Sequence, residues 1–507
     1  MRILTKKQSY SIDKISIENY KISQELLMTA AANSIVKHIE KYSSFINKKP
    51  RILIICGKGN NGGDAICAAN ILIRKGFDLH VHFLIEKKEI RSLSKKYYIE
   101  YVKVSNQISF GAELKKNNGF DLLIDGIMGI GFRGTLNNNL IDWIKWINNS
   151  NMYIISVDIP SGLNADNGLT SPVAVKANKT ITFGYSKIGL HIADGKDYSG
   201  DLVIEDIGFP DDVLDNINEI ECKIFKSKDV ENILFKVPSN TYKQDRGKVL
   251  IIAGSRGMTG AAFLSTYGAL RTGAGVTITV CPSSLSNIFE KNIIEGMTLS
   301  CEDNNKGYLS IDNYDAIMEK VDWADSLVIG PGIGLADETT SLIVKLINSI
   351  DKPIVLDADG LACFNQLNKP LDNLIITPHL GEFSRIIKKE KSEVVNNFIH
   401  LVKDFIKVFD GVALIKHVPC CVAYQNKISF NSKGNSGLST AGSGDVLSGM
   451  IGSFVAQGIS YFNASRLSSF FHGMAADNLI KDVGYRGLIS SDLPLSIAQV
   501  IGRYEIK

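Results

Sequence analysis

The 507 residues predict two α/β domains in tandem, and three observations carry that expectation. The length exceeds what one ordinary hydrophobic core covers. Short β-branched runs alternate with stretches of helical periodicity, once in each half of the chain. Polar, glycine-rich segments follow directly on the apolar runs, and in a doubly wound parallel sheet that edge holds the ligand.

In the first half the runs RILIIC (51–56), DLHVHFLI (78–85), FDLLID (120–125), MYIISVD (152–158), KTITF (179–183) and DLVIEDI (201–207) read as strands. Between the first two, DAICAANILIRKG has apolar residues at helical spacing and a glycine stop at Gly76. The polar segment DDVLDNINEIEC after IGFP (207–210) reads as a junction, so the first domain is expected over 1–215 and the second over 224–507. The second series runs GKVLIIAGS (247–255), GVTITVC, DSLVIGPGIG, KPIVLDADG, NLIITPH and GVALIKH. CCVAY and KISFN around Gln425-Asn426 predict a hairpin, and helical stretches close the chain from about Asp445. The halves share a class but no repeat.

Hydrophobic residues make up 45% and charged residues 21%, with a net charge of +3, which describes a globular protein without a nucleic-acid stripe. Eight cysteines lack C-x-x-C spacing, and MRILTKKQSYSIDK lacks the apolar stretch of a secretion signal. No run of eighteen apolar residues occurs. A cytoplasmic protein with reduced thiols is expected, forming a homo-oligomer and acting on small molecules rather than nucleic acid or membrane.

The loop GKGNNGGD (57–64) satisfies G-x-G-x-x-G between a strand and a helix, the context of a dinucleotide turn. Asp64 is expected in the first helical turn, where a pyrophosphate would want the positive dipole end to itself. Asn60 and Asn61 add amides where a tight phosphate turn shows small residues. A capped glycine turn is the bland alternative, and the unusual polarity favours a ligand loop. DGIMGIGFRGT (125–135) repeats the arrangement after Asp125, and in VDIPSG (157–162) Asp158 ends a strand beside Ser161, where a carboxylate can act as general base. His80 and His82 share one face of a strand without partner acids and read as packing or surface residues.

In the second half AGSGDVLSGMIG (441–452) feeds a glycine turn into an apolar helix. Backbone amides there can form an anion hole, and Asp445 can take a proton from an attacking hydroxyl. No G-x-x-x-x-G-K-[ST] occurs, so the chemistry is not of the P-loop type. His379 lies on a strand-end loop beside Gly381 and Glu382.

GNNGGD, D-x-x-x-G-x-G-x-x-G, VDIPSGL and TITFGYSKIGL together resemble the NAD(P)H-hydrate epimerase family, which implies a Rossmann-like first domain. The resemblance implies that Asn60, Asn61, Gly62, Gly63 and Asp64 line the site of the hydrated nucleotide. It implies the same for Gly129, Ile130, Gly131, Phe132, Arg133, Gly134 and Thr135, with Asp158 catalytic. It also implies a potassium ion among Asn61, Asp125 and Ser161. Ala65 and Ile130 depart from the usual glycine and threonine.

GSRGMTGAA, ALRTGAGV, GPGIG, VLDADGL, TPHLGE and AGSGDVLSG resemble the ADP-dependent NAD(P)H-hydrate dehydratases of the ribokinase-like superfamily. The resemblance implies that Ala262, Gly332, His379 and Asp445 contact the hydrated nucleotide, with Asp445 catalytic. Lys416, His417, Val418, Pro419, Cys420 and Gly444 would contact ADP, with magnesium on its phosphates. KHVPC stands where the family shows Lys-Gly-x-x-Thr, and Ser443 replaces a threonine. The implied reaction interconverts the R and S forms of hydrated NADH or NADPH and dehydrates the S form, turning ADP into AMP and phosphate. A ribokinase-like small-molecule kinase with an N-terminal nucleotide-binding module is the alternative.

Overall fold

The computed structural model describes residues 1–111, 119–132, 134–217, 220–368 and 371–505. Two compact units result, Arg2–Glu219 and Ile220–Lys507, the latter with Met1.

The strands of the first unit are β1 (Arg2–Leu4), β2 (Ile52–Cys56), β3 (Leu79–Phe83), β4 (Ile108–Phe110), β5 (Leu122–Gly126), β6 (Tyr153–Val157), β7 (Lys179–Phe183), β8 (Ser186–Lys187) and β9 (Asp201–Glu205). Seven form a sheet in the order β4-β3-β2-β5-β6-β7-β9, parallel throughout. Every residue of β2 and β5 is buried, as the uninterrupted apolar runs require of a sheet covered on both faces. The pleat divides β2 between two cores: Ile52, Ile54 and Cys56 join one cluster, Leu53 and Ile55 another that includes Trp143. From β2 the chain runs outward to β3 and β4, then returns to β5 on the other side. That reversal opens a crevice at the carboxyl ends of β2 and β5.

The helix after β2 spans Asn60–Arg74, so it begins four residues earlier than DAICAAN suggests. Asn60 and Asn61 occupy its first turn, and Asp64 lies one turn further in. Close packing overrides the low helix propensity of the glycines: a Cβ on Gly62 would collide with the Gly57 carbonyl, and one on Gly63 would meet the Met28 methyl at 2.7 Å. Two N-terminal helices precede β2. Lys6–Glu18 starts with a capping box between Thr5 and Gln8, and Gln24–Phe45 is capped by Ser23 Oγ, which accepts from the Leu26 amide at 3.1 Å. His80 Nε2 and His82 Nδ1 both bond Ser109 Oγ, at 2.7 and 2.8 Å, and His82 stacks on Trp143.

The second unit contributes β10 (Glu221–Phe225), β11 (Lys248–Ile252), β12 (Val276–Pro282), β13 (Met297–Cys301), β14 (Ser326–Ile329), β15 (Ile354–Leu356), β16 (Leu374–Ile376), β17 (Val412–Ile415), β18 (Cys421–Tyr424) and β19 (Lys427–Asn431). Their order is β13-β12-β11-β14-β15-β16-β17-β18-β19-β10. Only β18 runs antiparallel to its neighbours, in the hairpin through Gln425-Asn426. The reversal here lies between β11 and β14, which brings AGSRGMTG and GPGIG to one edge. Helices Thr259–Arg271 and Ser443–Ala456 cross at glycines, since a Cβ on Gly449 would collide with the Ser265 carbonyl and one on Gly268 with that of Val446.

Candidate active sites

In the first unit a cavity of about 1030 Å³ opens at the β2/β5 reversal. Asn60, Asn61 and Asp64 line it from the β2 loop; Gly129, Ile130, Gly131, Phe132 and Thr135 line it from the β5 loop, and Asp158 from the end of β6. Gly62, Gly63 and Gly134 do not: the first two shape the helix start, and Gly134 turns the β5 loop at φ +84°. Arg133 lies outside the described residues. Gly129 allows the β5 loop to touch Asn61, whose Oδ1 would collide with any Cβ there.

Asp158 sits at φ +66°, a left-handed conformation costly for an L-residue. Its backbone N–H donates to Ile181 O at 2.7 Å. Its Oδ1 accepts from the Lys187 ammonium and from Thr182 Oγ1 at 3.1 Å. Lys187 is carried by β8 and is 4% exposed. Asp13, from the helix Lys6–Glu18, completes a group of three carboxylates and one lysine in the cavity. Burial pushes the Asp13 carboxyl up to about 6, with Asp158 adding to the rise and Lys187 opposing it. Burial, then Asp158 and Asp13, hold Asp64 well above the usual carboxylate range. Two carboxylates whose burial raises their proton affinity beside a third that is paired with a lysine suit acid–base work.

Behind this group lies a nest of oxygens. Asp125 is fully buried and has no ion-pair partner among the described residues. It accepts from Ser161 Oγ at 2.5 Å, Ser161 N at 2.9 Å and Ser156 Oγ at 2.8 Å. Burial raises its proton affinity against these donors. The Asn61 amide donates to Val157 O at 2.5 Å and Met128 O at 3.3 Å, and Ser161 Oγ shares the Met128 carbonyl at 3.2 Å.

In the second unit the helix Ser443–Ala456 begins at Gly442, φ +89°, with no side-chain cap. Gly444 faces the Lys416 ammonium: a Cβ there would lie 3.2 Å from Lys416 Nζ. Lys416 Nζ pairs with Asp357 Oδ1 at 2.7 Å, while Asp357 Oδ2 is buried with no hydrogen-bond partner among the described residues. Asp359 accepts from the Gly334 N–H at 3.0 Å, which ties the β14 and β15 loops together. Burial pushes Asp445 up to about 7, with Asp357 and Asp359 adding to the rise and Lys416 opposing it. Burial alone would lower Lys416, but Asp357, Glu382 and Asp445 outweigh it and raise its proton affinity.

His379 caps its own helix, Nδ1 accepting from the Gly381 N–H at 3.0 Å and the Glu382 N–H at 3.2 Å. Its backbone bridges Lys416, which brings the β16 and β17 loops together. Gly332 packs on Met258 and Ala261 at φ +57°. The Ala262 side chain is fully buried in the core cluster, in the first turn of the helix Thr259–Arg271. The KHVPC side chains also diverge. The His417 ring packs on Phe398, Val418 is 68% exposed, Pro419 follows a cis bond, and Cys420 packs against the core.

Lys187, Asp13, Asp357 and Asp359 were missing from the residues singled out in the sequence. Lys187 lies within TITFGYSKIGL and the two aspartates within VLDADGL, motifs already noted. Asp13 carries no local signal.

Two α/β units, each with a lysine–aspartate pair at the carboxyl edge of its sheet, define a two-site enzyme of nucleotide chemistry. Residues 24–189 match the family described as YjeF-related protein N-terminus, and residues 249–499 match the family described as NAD(P)H-hydrate dehydratase. The bifunctional NAD(P)H-hydrate repair enzyme of Dictyoglomus turgidum is 32% identical over 100% of both chains. That of Moorella thermoacetica is 30% identical over 97% of this chain and 95% of its own. A solved structure of the ADP/ATP-dependent NAD(P)H-hydrate dehydratase from Bacillus subtilis, co-crystallised with ATP and Mg2+, shares the fold of the second unit. It is 24% identical, covering 56% of this chain and 99% of its own at a TM-score of 0.50. The chain belongs to the family of bifunctional NAD(P)H-hydrate repair enzymes.

Proposed function

We infer that the chain restores hydrated NADH and NADPH: the first unit interconverts the R and S forms, and the second dehydrates the S form with ADP. The observation that carries this is the pair of lysine–aspartate constellations, Asp158–Lys187 and Asp357–Lys416 beside Asp445, one in each unit.

In the first site Asp158, paired with Lys187, takes the proton of the ring hydroxyl, and Asp64, whose burial favours its protonated form, supplies one to the ring nitrogen. The carbon–nitrogen bond opens to an aldehyde, and closure from either face yields either epimer. Asn60, Asn61 and the loop Gly129–Thr135 bind the nucleotide. Potassium fits the nest of Asn61, Asp125 and Ser161, because the donors are oxygens and the buried Asp125 carboxylate lacks a counter-charge among the described residues. Bound there, it supplies that charge beside the nucleotide.

In the second site Asp445 takes the hydroxyl proton, and the oxygen attacks the β-phosphorus of ADP, releasing AMP. The Gly444 amide and Lys416 hold the transferred phosphoryl group. The ring nitrogen's lone pair then expels phosphate, and loss of the adjacent C–H proton restores the double bond. His379 and Gly332 line the nucleotide side. Magnesium fits the unpartnered Asp357 Oδ2 and would neutralise the ADP phosphates.

No helix among the described residues is long and apolar enough to cross a membrane. All eight cysteines are free, which supports a reducing compartment and hence the cytoplasm. A homo-oligomer is supported by the open edge of β13 with exposed Ile294 and Met297 beside it. The test mixes purified protein with both epimers of hydrated NADH, ADP, magnesium and potassium. Full recovery of the NADH absorbance is expected, and none would overturn the assignment. Exchange of potassium for tetramethylammonium should slow epimerisation and leave dehydration of the S form intact.

A further inference from the structure

A second cavity in the Ile220–Lys507 unit, about 610 Å³, lies away from Asp445. It is lined by the first residues of β17 and β19 (Val412, Lys427), by Glu221 and Lys223 of β10 and by Tyr424 at the end of β18. Because β18 runs antiparallel, all these positions share the sheet edge opposite Lys416. Lys416 lies four residue steps beyond Val412, about 13 Å at the rise of an extended strand.

The lining holds three cations, Lys223, Lys427 and Arg466, against one carboxylate, Glu221. Glu221 is already engaged by Lys223 at 2.9 Å. Arg466 donates to Asn463 Oδ1, and its guanidinium lies over the rings of Phe225 and Phe462, 4.8 and 4.6 Å from their centroids. Its Nε is buried without a hydrogen-bond partner among the described residues. Neither Arg466 nor Lys427 takes part in an ion pair among the described residues. The helix Tyr461–Gly487 starts at the same cavity, and Ser460 gives its first turn no side-chain cap. Two cations outside any ion pair and a positive helix end thus line the same cavity, an arrangement that suits an anion. The Tyr424 and Phe462 rings, 6.3 Å apart, supply aromatic faces beside it. The volume suits a small nucleotide.

We propose that this cavity is a second nucleotide site, taking a nucleoside monophosphate with its phosphate on Arg466, Lys427 and the helix start and its base against Tyr424 and Phe462. Calorimetry of AMP binding to the full chain tests it. Two molecules of AMP per chain are expected, one of them lost in Lys416→Ala and the other in Arg466→Gln. Lys427→Glu, an exposed position that leaves the core untouched, should weaken the second event at least about 10-fold, and inorganic phosphate should compete for it. One AMP per chain in the unsubstituted protein, a second event indifferent to both Arg466→Gln and Lys427→Glu, or one indifferent to phosphate, would overturn the proposal.

Discussion

Asp445 needs its ionised form to act as a base, yet burial and Asp357 hold its proton up to about 7. Below that value most of the enzyme carries the wrong protonation state. ADP-driven restoration of the S form should therefore rise with pH through about 7 and then level, and a profile flat from 5 to 8 would remove Asp445 from this role. Asp445→Asn keeps the shape without the base and should slow restoration by about 10²–10⁴-fold in a stopped-flow absorbance measurement. In the other unit, Lys187→Met leaves the buried Asp158 carboxylate without the ammonium that holds its Oδ1 in place. The variant should restore only the S fraction of a mixed pool, and complete restoration would count against the pairing. Asp158 and Asp445 are legible in sequence because each sits at the end of a regular element among small turn residues. Lys187 and Asp13 are not: a two-residue strand and an N-terminal helix deliver them, and only the tertiary fold brings them to Asp158.

The helices Thr259–Arg271 and Ser443–Ala456 approach so closely that Gly449 has no room for a methyl group beside the Ser265 carbonyl. Gly449→Ala should cost about 1–3 kcal/mol in denaturant unfolding. It should also slow ADP-driven restoration, because the same helix start carries Gly444 and Asp445. Gly502, in the helix Leu493–Glu505, has nothing within 4 Å of its missing Cβ. Gly502→Ala should instead stabilise by about 0.5–1 kcal/mol through lost backbone freedom in the unfolded chain. Opposite signs for one substitution in two helices follow from contact, which sequence does not display. The central strands were legible for the converse reason: burial on both faces writes itself as an apolar run, as in ILIIC and LLIDG. Short or half-exposed strands escape that rule. β13 reads MTLSC with only Cys301 buried, and β1 and β8 have three and two residues. The start of the helix after β2 was misplaced because glycines at 62 and 63 signal a turn locally, whereas close packing makes them helical.

At the scale of the whole chain, the two units hold separate cores: the cluster around Phe454, Phe470 and Phe471 belongs entirely to the second, and those around Ile54 and Trp143 entirely to the first. Each core can therefore melt on its own, and a single unfolding free energy does not describe the protein. Two calorimetric transitions are expected. ADP should raise the one that belongs to the second unit, because Lys416, Gly444 and Asp357 all lie there. At a hundred times its dissociation constant, a ligand that binds only the folded form adds about 2.7 kcal/mol. Lys416→Ala should diminish that shift without moving the other transition. Potassium bound as proposed beside Asp125, which has no counter-charge among the described residues, should instead raise the transition of the first unit, and Asp125→Asn should abolish that rise. A single transition that answers equally to ADP and to potassium would mean that the cores melt together, and that binding in one unit is felt in the other.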